Sequence, residues 1–120
     1  TGETNNTYYQ DIVGTWYGTM VYTNGNGHQV SQKTTMTFNS DRTGEWFSEG
    51  RRVQYAFFTY RIIGNEIKCV GAYANNAGSV NEDWSCTCQY DGKYIINGMF
   101  TMGREEVIVD KNGNILIDNN

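Results

Sequence analysis

Thr15-Trp16-Tyr17-Gly18-Thr19-Met20-Val21-Tyr22-Thr23, then Asn24-Gly25-Asn26-Gly27, then Gln29 through Phe38: this stretch decides the fold. Trp16, Gly18, Met20 and Tyr22 alternate with Tyr17, Thr19 and Val21, which is the two-residue period of a half-buried strand. The Asn-Gly repeat that follows supplies residues that tolerate positive φ, as a tight hairpin turn demands. The chain then alternates again, with Val30, Gln32, Thr34, Met36 and Phe38 opposed to Lys33, Thr35 and Thr37. Two period-two runs around an Asn-Gly turn read as an antiparallel hairpin.

Working outward, the same punctuation recurs at 39–44, 49–51, 64–65, 75–78, 91–92, 102–103 and 112–113, and proline is absent throughout. Eight or nine strand-like runs lie between these signals, at about 15–23, 29–38, 43–49, 52–62, 66–74, 81–90, 93–102, 104–110 and 114–118. Connections this short join antiparallel neighbours, since a parallel crossover takes a dozen residues or more. The expected fold is therefore all-β: an antiparallel up-and-down meander of about eight strands, closed into a barrel so that no long edge is exposed. Residues 12–120 form that single domain, and the polar segment 1–11 is expected to fray, with Tyr8, Tyr9 and Ile12 forming a short turn that plugs one end.

Composition agrees. Of 120 residues 14% are aromatic, and Leu116 is the only leucine, so the apolar volume is carried by side chains that favour a pleated surface. A net charge of −4 opposes nucleic-acid binding, which needs a basic footprint. No apolar run approaches the roughly 18 residues of a transmembrane helix. The chain opens on Thr1, which reads as a processed or trimmed product.

The fifth and sixth runs yield a register. A four-residue loop at 76–79 sets Asn75 opposite Val80, and then Gly71 opposite Trp84, Cys69 opposite Cys86 and Ile67 opposite Cys88, all on one face. A glycine facing an indole gives the ring room. Cys69 and Cys86 come within disulfide reach, while three thiols acting as small core residues is the preferred alternative.

Asp11-Ile12-Val13-Gly14-Thr15-Trp16 resembles the Gly-x-Trp opening of lipocalins and related calycin barrels. The runs at 38–44 and 58–67 are similar to small lipocalin-like domains of Bacteroidetes envelope proteins. The resemblance implies a barrel whose end is closed by Trp16 packed against an arginine of a late strand, for which Arg104 is the candidate. It also implies an exported protein of the periplasm or outer-membrane surface.

Catalytic chemistry is not expected. His28, the only histidine, falls in the first turn, where no rigid triad can be held. Cys86-Thr87-Cys88 lacks the two-residue spacer of zinc motifs, and no metal or cofactor is expected. Asp110-Lys111-Asn112-Gly113-Asn114 has isoleucine where a calcium loop needs glycine, and reads as a hairpin turn. Glu45, Glu49, Glu82 and Asp83 read as solvated rim carboxylates, and one of Glu105 and Glu106 is expected to face the barrel interior. What remains is binding. Met20, Met36, Tyr60, Tyr73, Trp84 and Tyr94 are expected to face inward and to line a site for a small apolar or aromatic ligand. The alternative is a filled barrel whose outer aromatics, Tyr17, Tyr55 and Phe57, form a protein- or glycan-binding face.

Overall fold

A computed structural model describes residues 6–50, 53–74 and 80–120. One short helix, α1 (Asn6–Ile12), precedes ten strands: β1 (Gly14–Thr23), β2 (Gln29–Phe38), β3 (Thr43–Glu49), β4 (Val53–Ile63), β5 (Glu66–Ala74), β6 (Val80–Tyr90), β7 (Ile95–Asn97), β8 (Phe100–Met102), β9 (Val107–Val109) and β10 (Ile115–Asp118). The sheet order is β10-β9-β1-β2-β3-β4-β5-β6-β7-β8. Strands β1 to β8 thus form the expected antiparallel meander. Its two ends meet where Tyr17 and Gly103 exchange backbone hydrogen bonds of 2.9 and 3.1 Å, giving a nearly closed barrel.

Three expectations need correction. The run at 93–102 is two strands, because Asn97-Gly98 is itself a hairpin signal: Gly98 has φ +60°, and Ile95, Ile96 and Asn97 pair with Met102, Thr101 and Phe100. β9 does not continue the meander but runs parallel to β1, pairing Gly18, Thr19 and Met20 with Val107, Ile108 and Val109. The hairpin β7–β8 is only three residues deep, so it reaches β1 at Tyr17 and no higher. The chain reverses at 104–106, and β9 takes the edge that β8 leaves unpaired. Lastly, residues 6–11 belong to α1, so the barrel's plug begins five residues before the point where fraying was expected to end.

The register read for β5 and β6 holds at Ile67–Cys88, Cys69–Cys86 and Gly71–Trp84. It shifts by one residue at the top, where Ala74 faces Val80 across a bulge, and Asn75 and the loop at 76–79 lie outside the described residues.

A single row across six strands shows how small and large residues share the barrel wall. Gly14 faces Phe38, Phe38 faces Gly44, Gly44 faces Phe58, Phe58 faces Gly71, and Gly71 faces Trp84. Glycine and aromatic alternate, so each ring lies over a neighbour without a side chain. Phe38 and Phe58 meet edge-on over Gly44 at 5.6 Å, and Phe58 and Trp84 stack over Gly71 at 5.6 Å and 24°. A Cβ on Gly44 would stand 2.5 Å from the Phe58 ring, and one on Gly71 would overlap the backbone of Phe57 and Phe58. The glycine facing the indole is thus required by the approach of β4 on its other side.

Candidate ligand-binding site

The two ends of the barrel are built differently. At the α1 end, Tyr9 and Ile12, one helical turn apart, face inward onto the core. The Tyr9 hydroxyl accepts the Ile62 N–H at 2.9 Å, and the Arg42 guanidinium lies 3.5 Å from the centre of the Tyr9 ring. Arg42 reaches that position from a left-handed backbone, φ +70°, in the β2–β3 turn. Beside it, Trp16 is buried and donates its indole N–H to Ile12 O at 2.8 Å. Arg104 stacks on Trp16 at 4.0 Å and donates to Asp11 O at 2.6 Å. The pairing of Trp16 with Arg104 is the barrel-end contact expected for those two residues. Gly14 is favoured there by its φ of +118°, and a Cβ would stand 2.6 Å from the Arg104 guanidinium, which would have to shift off Trp16.

Above this end the core is filled by Met36, Phe38, Phe58, Tyr60, Ile62, Ile67, Cys69, Cys88, Ile95 and Met102, all buried. Tyr60 donates to Asn39 O at 2.6 Å, and burial, which outweighs the opposing field of Arg42, pushes its phenol up to about 12. Met36 and Tyr60, expected to line a ligand site, are therefore packing residues.

In the other half of the barrel the inward-facing side chains are less buried. Met20, Tyr22, Val30, Gln32, Trp46, Tyr73, Trp84 and Cys86 continue the inward-facing rows, yet each remains half-buried. The wall itself is incomplete here. β6 has eleven residues but pairs with β7 only through Gln89 and Tyr90, so among the described residues its 80–88 edge has no strand neighbour on that side. Trp84 and Cys86 lie on this stretch. Trp84 packs against Trp46 at 5.6 Å, and Trp46 against Tyr73 at 6.1 Å. Three half-buried aromatic rings thus lie beside the opening that this unpaired edge leaves. On the inward-facing rows of β2 and β3, Gln32 donates to Ser48 Oγ at 3.0 Å, and Thr34 Oγ1, 2% exposed as a residue, finds no hydrogen-bond partner among the described residues.

Of the six residues expected at the site, Tyr73 and Trp84 lie at this opening, and Met20, on the same inward face, is half-buried in the same half of the barrel. Tyr94 sits elsewhere: its hydroxyl donates to the Asp118 carboxylate of β10, on the outer seam. Trp46 also belongs to the cluster; its neighbour Phe47 is equally large, so size alone does not tell which of the two faces inward. Glu106 does not enter the barrel either; it accepts a hydrogen bond from Thr19, which is on the outer face of β1. His28 is an exposed turn residue whose N–H bonds Asn24 Oδ1, and Asp110 closes the β9–β10 turn through the N–H groups of Asn112 and Asn114. A groove of about 290 Å³ runs along Val21, Tyr22 and Thr23 at the end of β1 and residues 110–112 of the β9–β10 turn.

At the border between the filled and open halves lie three thiols. Cys69, Cys86 and Cys88 are unbonded, and their sulfurs are within 4.8 Å of one another. The Cys69 and Cys88 thiols both bond Cys86, which holds its thiol below the usual range, while Cys69 is raised by donating to Cys86 and then Cys88. The register read from the loop length already sets Cys69 opposite Cys86, with Cys88 on the same face. The signal was present in the Cys-x-Cys pattern, which places both side chains on one face of a strand.

Compared with known protein families, curated proteins and solved structures, the chain matches none.

Proposed function

We propose that this protein is a non-catalytic, lipocalin-like binding protein that takes a small, flat, largely apolar ligand between Trp46, Tyr73 and Trp84. The observation that carries the reading is the pair of inward-facing indoles left half-exposed beside a gap in the barrel wall. Folding ordinarily buries such rings, and a concave aromatic surface with a few polar atoms beneath it is the usual composition of a small-molecule site. Thr34 Oγ1 adds a polar atom that is desolvated and unsatisfied, a condition that costs stability unless a bound group relieves it. The Gly14-Thr15-Trp16 opening and its Arg104 contact support the lipocalin-like reading, and with it export to a bacterial envelope.

The test is a titration with a polycyclic aromatic fluorophore, followed by energy transfer from tryptophan. Saturable binding that Trp84→Ala and Trp46→Ala each weaken by about tenfold or more is expected, at roughly 1.4 kcal/mol per tenfold. Unaltered binding in both variants would overturn the reading.

One observation favours the alternative of an interaction module. Tyr17, Tyr55 and Phe57 are 43%, 41% and 48% exposed, and Phe47 packs on Tyr55 at 4.9 Å, so the outer face of β1–β4 carries its own aromatic surface. Aromatic residues of this kind are enriched at protein interfaces. Loss of binding in Tyr55→Ala or Phe57→Ala, with Trp84→Ala unaffected, would transfer the function to that face.

A further inference from the structure

We propose that Cys69, Cys86 and Cys88, with Met36 beside them, form a binding site for one soft metal ion, Cu(I), independent of any ligand bound at the aromatic opening.

The fold brings these sulfurs together without loops. Cys69 and Cys86 are direct cross-strand partners on β5 and β6, and Cys88 is two residues further along the same face of β6. The Cys86 and Cys88 sulfurs are 3.9 Å apart, and all three lie within 4.8 Å of one another. A metal–thiolate bond of about 2.3 Å in a trigonal arrangement separates its sulfurs by about 4 Å. The set therefore stands close to the spacing of a ligated trio, and small side-chain rotations complete it. Paired strands hold the ligands more rigidly than a loop would.

The donor chemistry selects the ion. The candidate ligand group found among the described residues contains cysteine alone, with no imidazole or carboxylate in it. The next sulfur is a thioether, Met36 Sδ, 3.8 Å from Cys88 Sγ. Structural zinc sites close with four thiolate or imidazole ligands, whereas thiolate with thioether is a Cu(I) ligand set. Cys69 and Cys88 are buried, which keeps the site dry, and the half-buried Cys86 beside the unpaired edge of β6 gives an ion its way in. Each sulfur that ligates as a thiolate gives up its proton on binding, so uptake releases protons and involves no change of oxidation state.

The experiment is an anaerobic titration of the reduced protein with Cu(I) against a bicinchoninate competitor. One equivalent should be withdrawn from the competitor, with thiolate-to-metal absorption in the near ultraviolet and an all-sulfur shell by X-ray absorption. Cys86→Ser should weaken uptake by about a hundredfold or more, and Met36→Leu, which conserves volume, by about tenfold. Circular dichroism checks that the variants fold, and Met36→Leu keeps the test decisive if a cysteine variant does not. Reduced protein that withdraws no Cu(I), uptake unchanged in both variants, nitrogen or oxygen in the metal shell, or tighter binding of Zn(II) than of Cu(I) would each overturn the proposal. Because none of these readouts uses an aromatic ligand, failure here leaves the ligand reading of Trp46 and Trp84 standing, and the reverse.

Discussion

Trp16 and Trp84 both face the interior of one barrel from different strands, and their surroundings could hardly differ more. Trp16 is 2% exposed, bonds Ile12 O through its indole N–H, touches Tyr90 edge-on at 6.0 Å and carries Arg104 on its face. Trp84 is half-buried, leans on Phe58 and Trp46, and stands where, among the described residues, β6 has no strand neighbour on one side. The difference follows from strand length. β7 and β8 rise three residues each, about 10 Å, while β6 rises more than three times as far. The lower half of the barrel is closed by these short strands, by α1 and by two arginine–aromatic stacks. In the upper half, among the described residues, the 80–88 edge of β6 is left unpaired, a slot in the wall. Burial is concentrated in one half, and the proposed recognition surface lies in the other.

The largest expected effect attacks the closed half. Trp16→Ala should destabilise by about 3–5 kcal/mol in denaturant unfolding, the range for a buried large aromatic, whereas Trp84→Ala should cost less than half of that. Equal losses would mean that the slot is as much a core as the plug. Gly71→Ala probes the border between them. Its Cβ would displace the β4 backbone and unstack Phe58 from Trp84, so a loss of about 1–3 kcal/mol is expected, with tryptophan emission shifted to the red.

Thr34→Val sharpens the comparison from the open side. Replacing an unsatisfied buried hydroxyl by an isosteric methyl should be neutral or raise stability by up to about 1 kcal/mol, while ligand binding at the slot weakens. A destabilised variant would show that Thr34 Oγ1 is satisfied in the native protein. The smallest effect is confined to the outer seam. The Tyr94 hydroxyl and then Asn120 hold the Asp118 carboxyl down to about 2. A carboxylate depressed in the folded state contributes fully above its ordinary value near 4, and that contribution fades as pH falls towards about 2. Protection of the β10 amides should therefore decline between those pH values, and Tyr94→Phe should remove that decline while the Trp16 indole stays protected.

Much of this fold was legible in the sequence. The Asn-Gly turns and the two-residue alternation located β1 to β6 to within a residue at most ends, and a loop length alone gave the β5–β6 register below its bulge. What escaped depends on contacts between distant segments. Parallel pairing of β9 follows from how far β8 reaches up β1, which no local pattern encodes. Asn97-Gly98 carried a hairpin signal, but the apolar residues on either side made a single strand the simpler reading. The same holds for the candidate site: alternation gave the inward faces of Tyr73, Trp84, Met36 and Tyr60 alike, but not that the first two are half-buried and the last two core, nor that the 80–88 edge of β6 is unpaired among the described residues. The juxtaposition of Cys69, Cys86 and Cys88 was legible from the β5–β6 register, while the approach of Met36 to Cys88 was not.

The most direct test of this division uses the three tryptophans as reporters, in a proton–nitrogen spectrum of the indole N–H groups recorded with and without an apolar aromatic ligand. The Trp16 signal should exchange slowly with solvent and stay where it is, while those of Trp46 and Trp84 exchange quickly and move together as ligand is added. Slow exchange at all three with no movement, or movement of the Trp16 signal alone, would contradict the account.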